Sequence, residues 1–502
     1  MERGLTVGGI ALIAALVGLL SFNNDFPGVF SDSIRYLLIA DFFEPYGRQE
    51  HPAAASSVLI SPFPPLYPMI MALFGATHEH VRIAHGITGV IWVLAIVAFL
   101  AAMRRREVPV WVSLMAALTW IFLVQSLALV TQLASEGLFF LLISLTVYFS
   151  VDADNDRRTL LLAGLFLALA ALTRSATIAF VPAFLVLLAT CRQSMAVKGI
   201  AAAAALVPPV LWHLFRPTTP GSQSYSGNLL ANYSAAGPWG WVEQAWEQAV
   251  RFGDSWVGMH RDDPLSQALL LTLGVLGLAG LLRAAGRRDF LALGVGVYLV
   301  LIILWPYPDE HKRLLLPVVP FFLVFAFGTL DKLFSRPRWR VVVSGLACAF
   351  VVATGLLHLS GRMTEPLPAE LDGYRLGKIW LEDAPREERL TRITIVHQMV
   401  LAAKRVPDHV DADGCVFASF SDIVAFYSMR TAYRPPPQRE ALNRCNHFLL
   451  VALNTVPATA PPLYPLNVLG NELRPIFVYW LDPAARQPGV VLARRESPGA
   501  NE

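Results

Sequence analysis

The sequence predicts a polytopic α-helical membrane protein with about eleven transmembrane (TM) helices, followed by a small C-terminal α/β domain. Hydrophobic residues make up 55% of the 502 residues and charged residues only 15%, whereas soluble globular proteins carry about a quarter of their residues charged. Apolar stretches of membrane-spanning length recur from Leu5 to Leu359 and then stop. The residues from 361 onwards have the mixed composition of a soluble domain.

The lengths of the apolar stretches give the positions of the helices. A bilayer core of about 30 Å requires about 20 apolar residues in a helix. We interpret 159–173 and 175–190 as a hairpin with Arg174 at its tip, because one continuous helix would place this arginine in the middle of the membrane. The predicted spans are 5–22, 81–103, 109–130, 133–151, 159–173, 175–190, 199–215, 265–283, 289–305, 313–330 and 341–359.

The distribution of lysine and arginine predicts the orientation. Every second connection is short and basic, which is typical of cytoplasmic loops. These connections are 104–106, 157–158, 192–198, 283–288 and 332–340. The N-terminus is therefore expected inside and the C-terminus outside, so that 361–502 is a periplasmic domain of a bacterial inner-membrane protein. The membrane domain, 1–360, then has two long external loops, 23–80 and 216–264.

The C-terminal domain shows alternating strand and helix signals. We expect helices at 387–405 and 421–428, and strands at 414–419, 447–453 and around 475–480, a βαβ rhythm. Cys415 and Cys445 precede or begin two of these strands. Since the periplasm is oxidising, a disulfide between them is expected.

The first external loop carries the most informative motif. A helix over 31–46 places Asp32 and Tyr36 one turn apart, with Ser31 as a plausible N-cap and Asp32 favoured by the helix dipole. Taken alone, Asp32 is also explained as a capping residue paired with Arg35. Four apolar residues form one face that we expect in the membrane interface: Ile34, Leu37, Leu38 and Phe42.

Together with this helix, three further motifs resemble the GT-C superfamily of polyprenyl-phosphate-dependent glycosyltransferases, such as protein mannosyltransferases and aminoarabinose transferases. Asp-x-x-x-Tyr-x-x-x-Ala at 32–40 is followed by Pro-Pro-Leu-Tyr-Pro at 64–68. Leu-Thr-Arg at 172–174 is similar to the family's Leu-Thr-Arg-Pro, with Ser175 replacing the proline. The segment 311–320 is similar to the basic start of a late helix. The resemblance extends over the membrane half of the chain.

The resemblance implies an inverting glycosyltransferase of the hexosyl or pentosyl type that acts on the external face. A lipid-linked sugar donor leaves an anionic phosphate, which requires fixed cations, and the acceptor hydroxyl requires a base. We assign the base to Asp32, with Asp25, Asp41 and Glu44 as alternatives. The predicted substrate-binding residues are Tyr36, Glu136, Arg174, His311, Lys312 and Arg313.

The expected partners are a polyprenyl-phosphate-linked sugar, a periplasmic acceptor (lipid, glycan or protein) and the lipid bilayer. The net charge of +3 gives no reason to expect nucleic acid. A nucleotide sugar is excluded as direct donor, because none is expected outside and the cytoplasmic loops are too short for a nucleotide-binding domain. We predict no metal-binding residues: the run 78–80, His-Glu-His, is interpreted as an exposed loop end. A divalent cation is left open as a cofactor.

Two rival functions remain. A transporter or lipid flippase usually has polar or broken helices at mid-membrane and internal repeats, whereas the predicted spans have few ionisable residues inside and no repeat is visible. A glycan polymerase or ligase of the same membrane class would use a pyrophosphate-linked donor. Only the chemistry of the donor separates this second rival from the leading hypothesis.

Overall fold

The computed structural model describes residues 2–22, 31–47, 51–54, 63–216, 237–305, 307–418, 420–433, 444–451, 473–482 and 487–495. Most of these residues are helical. The helices are α1 (Glu2–Phe22), α2 (Ser31–Phe42), α3 (Leu66–Leu73), α4 (Val81–Arg105), α5 (Val110–Ile121), α6 (Val124–Val130), α7 (Glu136–Ser150), α8 (Arg157–Ala171), α9 (Val181–Thr190), α10 (Met195–Phe215), α11 (Gly237–Val257), α12 (Pro264–Ala285), α13 (Phe290–Ile303), α14 (His311–Leu315), α15 (Val319–Leu333), α16 (Pro337–Thr364), α17 (Lys378–Leu381), α18 (Arg386–Arg405) and α19 (Ser421–Ser428).

The chain folds into two compact units. The helical unit comprises Met1–Asn23, Ile60–Tyr67 and His85–Thr364. The mixed unit comprises Asn24–Leu59, Pro68–Ala84 and Glu365–Glu502. The mixed unit therefore contains α2, the helix of the first predicted external loop, together with the C-terminal part of the chain.

Among the described residues, four helices are long and apolar enough to cross a membrane: α4, α10, α12 and α16. Two further spans are possible if bent helix pairs count as one span each. The pair α5 and α6 is bent by 73°, and the pair formed by Pro308–Leu315 and α15 is bent by 70°. The total of eleven spans and the orientation stay predictions.

Both bends fall where a continuous helix was expected. Over 313–330 the break lies around Pro317, and a proline removes a helical hydrogen bond and clashes with the preceding turn. Over 109–130 the single proline, Pro109, stands at the start of the stretch and not at the break. There Leu123 adopts extended backbone, with φ −61° and ψ 138°, and the backbone N–H of Gln125 donates to the carbonyl of Met259 at 3.2 Å. This contact with a distant segment is not visible in the sequence.

The mixed unit contains a five-stranded sheet in the order β2-β1-β3-β5-β4. The strands are β1 (Cys415–Ala418), β2 (Thr431–Tyr433), β3 (His447–Val451), β4 (Leu473–Asp482) and β5 (Gln487–Arg495). Strand β1 pairs parallel with β2 and β3, and β5 pairs antiparallel with β3 and β4. The expected strands and helices are confirmed, including α18 and α19. The short β2 and the last strand, β5, were not foreseen.

The expected disulfide joins Cys415 to Cys445, with their Cα atoms 5.3 Å apart. The disulfide links the first residue of β1 to the segment just before β3, and it therefore closes a loop that contains α19 and β2. On the chain-entropy model a loop of this size contributes about 3–4 kcal/mol. The other two cysteines, Cys191 and Cys348, are free and buried.

The loop helix α2 ends at Phe42, four residues earlier than predicted. The expectation that its apolar face lies in the membrane interface is wrong for Ile34, Leu37 and Leu38, because these three side chains are fully buried in the protein. Within the mixed unit, Arg35 Nη2 lies 2.6 Å from Asp422 Oδ2 on α19. Protein packing and an ion pair therefore take the place that lipid was expected to fill.

Candidate active site

Three segments that are distant in sequence meet at Glu136 in the helical unit. Arg174 Nη1 lies 2.7 Å from Glu136 Oε1, and Arg313 Nε donates to the same oxygen at 2.5 Å. We call these three residues the Glu136 cluster. Its members were all predicted to bind substrate, but their mutual contact was not.

Glu136 is the first residue of α7, where the helix dipole favours a negative charge. Its side chain is fully buried. The next residue, Gly137, packs so closely on α4 that an added Cβ would lie 2.9 Å from the Trp92 ring. A glycine at this position therefore lets the start of α7, which carries Glu136, approach α4 closely.

Arg174 lies at the tip of the predicted hairpin. Helix α8 ends at Ala171, Arg174 is extended with φ −148° and ψ 133°, and a 3-10 segment begins at Ser175. Arg174 Nη1 donates to Ser135 Oγ at 3.2 Å. The break in the helix that we expected from the position of this arginine is confirmed.

Two of the sequence motifs contact each other at this hairpin. The backbone N–H of Leu66, in Pro-Pro-Leu-Tyr-Pro, donates to the carbonyl of Leu172, two residues before Arg174, at 2.9 Å. Tyr67 is buried, and its hydroxyl lies 2.8 Å from Thr88 Oγ1 on α4. The proline-rich motif thus supports the hairpin that carries the arginine.

The three side chains of the basic triplet 311–313 contact different neighbours. His311 is buried, and its Nε2 lies 3.3 Å from the carbonyl of Trp305. Lys312 lies against Gly258, where an added Cβ would be 2.9 Å from Nζ. Arg313 contacts Glu136, and the hydroxyl of the buried Tyr298 donates to the carbonyl of Leu314 at 2.9 Å. Arg313 is therefore the member of the triplet that joins the cluster.

The electrostatics of the cluster favour an anion. A buried carboxylate is costly unless it is paired, and Glu136 is paired twice. Two unit positive charges about 4 Å apart repel each other by about 4 kcal/mol at the effective dielectric of a protein surface. Glu136 supplies one negative charge, and both guanidiniums lie at its Oε1. The arginine side chains keep 12% and 18% of their surface exposed, whereas Glu136 keeps none.

Asp32 and Tyr36 belong to the mixed unit. Asp32 lies in the first turn of α2 and is half-buried, and Tyr36 is almost fully buried. The role of Asp32 as the base and its proximity to Arg174 or to 311–313 stay predictions.

Of the alternative bases, Asp41 is engaged in an interaction that the sequence did not reveal. It is buried, its Oδ1 accepts from the backbone N–H of His78 at 3.0 Å, and its Oδ2 lies 2.5 Å from His78 Nδ1. The His51 ring packs on His78 with a centroid distance of 5.0 Å, and burial lowers the pKa of His51 to about 4. Glu44 accepts from the backbone N–H of Tyr46, and Asp25 lies outside the described residues.

The two histidines of the run 78–80 contact different neighbours. His78 contacts Asp41, and His80 Nδ1 lies 3.4 Å from Thr77 Oγ1. Within the part of the chain that the structure describes, there is no group of three or more histidine, cysteine, aspartate or glutamate residues that could hold a metal ion.

The sequence interpretation missed Gly137 and Tyr298, which support the cluster. Each had a weak signal: a glycine next to an acidic residue at a predicted helix start, and a single tyrosine hydroxyl in an apolar span. Neither pattern indicates which residue the glycine or the tyrosine contacts. The contacts with Trp92 and Leu314 depend on how the helices pack.

Comparison with known proteins gives one family match and several structural ones. Residues 63–213 match the family described as dolichyl-phosphate-mannose-protein mannosyltransferase. The matched stretch includes Glu136, Gly137 and Arg174. No curated protein sequence is significantly similar to the chain.

The fold is similar to that of ArnT from Cupriavidus metallidurans in the apo state, with a TM-score of 0.52, 13% identity and 98% of both chains covered. The structure of ArnT bound to undecaprenyl phosphate gives a TM-score of 0.49, 13% identity and the same coverage. The structure of the arabinofuranosyltransferase AftD from mycobacteria gives a TM-score of 0.49 and 14% identity over 97% of this chain. The chain spans only 40% of the length of AftD.

Proposed function

We propose that the chain is a membrane glycosyltransferase of the GT-C superfamily, which transfers a sugar from a polyprenyl-phosphate donor to an acceptor in the bacterial periplasm. The family match over residues 63–213 and the ArnT-like fold support this proposal. The acceptor is a lipid, a glycan or a protein. The description of the matched family names a dolichyl-phosphate donor, and ArnT, whose apo form has the same fold, has been determined with undecaprenyl phosphate. Both support a lipid monophosphate as the carrier of the sugar.

The observation that carries the proposal is the pair of arginines at Glu136. A lipid phosphate keeps its chain in the bilayer and its anionic group at the interface, so its site requires cations that are fixed and partly accessible. Arg174 and Arg313 meet this requirement, because both retain exposed surface and are held at one carboxylate oxygen. Planar guanidiniums also match phosphate oxygens in geometry. Tyr36, His311 and Lys312 are retained as further substrate-binding candidates.

The proposed reaction is a direct displacement. The acceptor hydroxyl oxygen attacks the anomeric carbon and forms the new glycosidic bond. The bond between this carbon and the phosphate oxygen breaks, and the phosphate leaves with the electron pair, stabilised by Arg174 and Arg313. Asp32 takes the hydroxyl proton. One displacement inverts the configuration of the sugar.

The test measures sugar transfer by purified full-length protein in detergent at varied donor concentration. Changing Arg313 to Ala removes a charge-assisted hydrogen bond worth about 1.5–3 kcal/mol, which corresponds to a loss of about 10–100-fold in kcat/KM for the donor. Arg105→Ala is the matched control, since Arg105 also pairs with a carboxylate, that of Asp152, which follows the other end of α7. It should change kcat/KM by less than about twofold.

Three outcomes would contradict the proposal. Unchanged donor kinetics in a folded Arg313→Ala protein would reduce this residue to a membrane anchor. A pyrophosphate-linked glycan identified by mass spectrometry of the co-purified lipid would favour a polymerase or ligase. Movement of the lipid across the bilayer without transfer of the sugar would favour a flippase.

We also propose the eleven-span topology, with the N-terminus in the cytoplasm and the mixed unit's C-terminal residues in the periplasm of the inner membrane. The alternation of basic connections supports it. A reporter fused after Arg340 should be cytoplasmic, and one fused at the C-terminus should be periplasmic. If both reporters lie on the same side, the number of spans and the external catalytic face are wrong.

A further inference from the structure

Two features of Glu136 are not explained by simple charge pairing. One oxygen, Oε1, contacts both Arg174 and Arg313. The other oxygen, Oε2, is buried and has no hydrogen-bond partner among the described residues. Two independent ion pairs would be expected to use one oxygen each. The observed geometry instead brings both guanidiniums to a single point.

We infer that Glu136 is a positioning residue that holds Arg174 and Arg313 together as one binding site for the donor phosphate. This inference rests on the proposed function, in which these two arginines bind that phosphate. Glu136 itself contacts the arginines and is assigned no contact with the reacting atoms.

The charge distribution explains why a carboxylate is required. Two guanidiniums repel each other, so without an anion between them they would separate. A phosphate alone would then have to bring them together on binding, and affinity would be lost in ordering the two side chains. With Glu136 completely buried and the arginines partly exposed, the anion lies behind the cations and leaves their accessible side for the ligand.

Contacts of helix α7 support two members of the cluster, Glu136 and Arg313. Gly137, at the start of α7, packs closely against Trp92. Phe139 of the same helix stacks on Tyr298 with a centroid distance of 5.9 Å. Tyr298 in turn bonds the backbone next to Arg313. The same first turns of α7 thus support both the carboxylate and the backbone that carries one of its arginines.

The experiment compares two substitutions that separate position from charge. Glu136→Gln keeps the length of the side chain and removes its charge. Glu136→Asp keeps the charge and withdraws the oxygen by one methylene. If Glu136 positions the arginines, both variants should bind undecaprenyl phosphate at least about tenfold more weakly than the wild type. If Glu136 only neutralises charge, Glu136→Gln should bind more tightly, because the site gains a net positive charge, and Glu136→Asp should bind normally.

Binding is measured with undecaprenyl phosphate and the full-length protein in detergent, with Asp152→Asn as the matched control. Asp152 also pairs with an arginine, beyond the opposite end of α7, and its variant should bind normally. Combining Glu136→Gln with Arg313→Ala should weaken binding by clearly less than the product of the two single losses, because Glu136 acts through the arginines. Independent, multiplicative losses would show that it does not.

The outcomes separate this inference from the proposed function. Normal or tighter binding by Glu136→Gln, with weak binding by Arg313→Ala, overturns the inference and leaves the donor site intact. Normal binding by both Arg174→Ala and Arg313→Ala overturns the donor site itself. If Glu136→Gln does not fold, as judged by its melting temperature against Asp152→Asn, Glu136→Asp decides: weakened binding supports positioning and normal binding excludes it.

Discussion

The Glu136 cluster and a second buried ion pair, the Arg389 cluster, show opposite patterns of solvent exposure: the carboxylate is the more buried group in the first and the arginine in the second. The Arg389 cluster consists of Arg389, Glu365 and Trp380 in the mixed unit. There the arginine is 1% exposed and the carboxylate 18%. In the Glu136 cluster the carboxylate is fully buried, and the arginines keep 12% and 18% of their surface.

The hydrogen bonds explain what this difference means. Arg389 Nε donates to the Ala384 carbonyl at 2.9 Å, Nη1 to the Trp380 carbonyl at 3.1 Å, and Nη2 to Glu365 Oε2 at 2.8 Å. The guanidinium also stacks over the Trp380 ring, 4.5 Å from its centroid. Fixed protein groups therefore satisfy this cation on all sides, which is typical of a structural ion pair.

A second arginine near the carboxylate does not by itself indicate a binding site. Arg386 Nε also lies near Glu365, at 3.6 Å, but this side chain is 48% exposed and therefore hydrated. In the Glu136 cluster both arginines are largely buried around one carboxylate. Two largely buried guanidiniums that meet at one carboxylate oxygen are the feature that favours a ligand anion, whereas a hydrated surface arginine is not.

Two of the candidate bases also differ in burial, because Asp41 is buried against His78 and Asp32 is half-buried, and this comparison gives the largest expected effect. Asp32→Asn keeps the size of the side chain and a capping oxygen, so the protein should fold, while loss of the base should lower kcat by about 10²–10⁴-fold. Steady-state transfer at saturating donor and acceptor measures it.

Asp263→Asn is the matched control for this substitution. Asp263 also stands at the start of a helix, α12, where its Oδ1 accepts from the backbone N–H of Ser266 at 3.0 Å, and asparagine caps a helix almost equally well. Its kcat should be unchanged. Full activity in Asp32→Asn combined with loss of activity in Asp41→Asn would move the base to Asp41, and the contrast between the two aspartates would then fail.

A smaller effect, on stability alone, is expected from the Arg389 cluster. Arg389→Ala removes the donor to the carbonyls of Ala384 and Trp380 and to the carboxylate of Glu365. Breaking a buried ion pair costs about 3–5 kcal/mol. Hydrogen exchange of the α18 amides should report this loss as a lower free energy of local opening. The KM for the donor should be unchanged at temperatures where the protein stays folded.

Arg386→Ala sharpens the comparison, because it removes the exposed partner of the same carboxylate. Exposed ion pairs contribute at most about 1 kcal/mol, so α18 should exchange almost as slowly as in the wild type. Equal acceleration of exchange by both substitutions, or a raised donor KM in Arg389→Ala without any change in exchange, would show that the two clusters do not differ as described.

Local features were predictable where one residue type decides the structure. An arginine in the middle of an apolar run required a break at Arg174, and the break lies between Ala171 and Ser175. Helix α19 and strand β1 were predicted within a residue, because their hydrophobic periods and their bounding polar residues are clear. The bend at Leu123, the short β2 and β5 were missed, because each depends on a neighbour that is distant in sequence.

For the candidate site, the sequence determined the residue types: Asp32 at a helix start, Glu136 before an apolar helix, Arg174 between two helices and Arg313 in a basic run. These follow from local rules on helix ends and on the cost of charge in an apolar segment. Tertiary structure decided that Arg174 and Arg313 both contact one oxygen of Glu136. It also decided that His311 contacts the carbonyl of Trp305 and that Asp41 pairs with His78. The physical reason is that the energy of a charge in a low-dielectric interior depends on which other charges and dipoles surround it, and helix packing sets those neighbours.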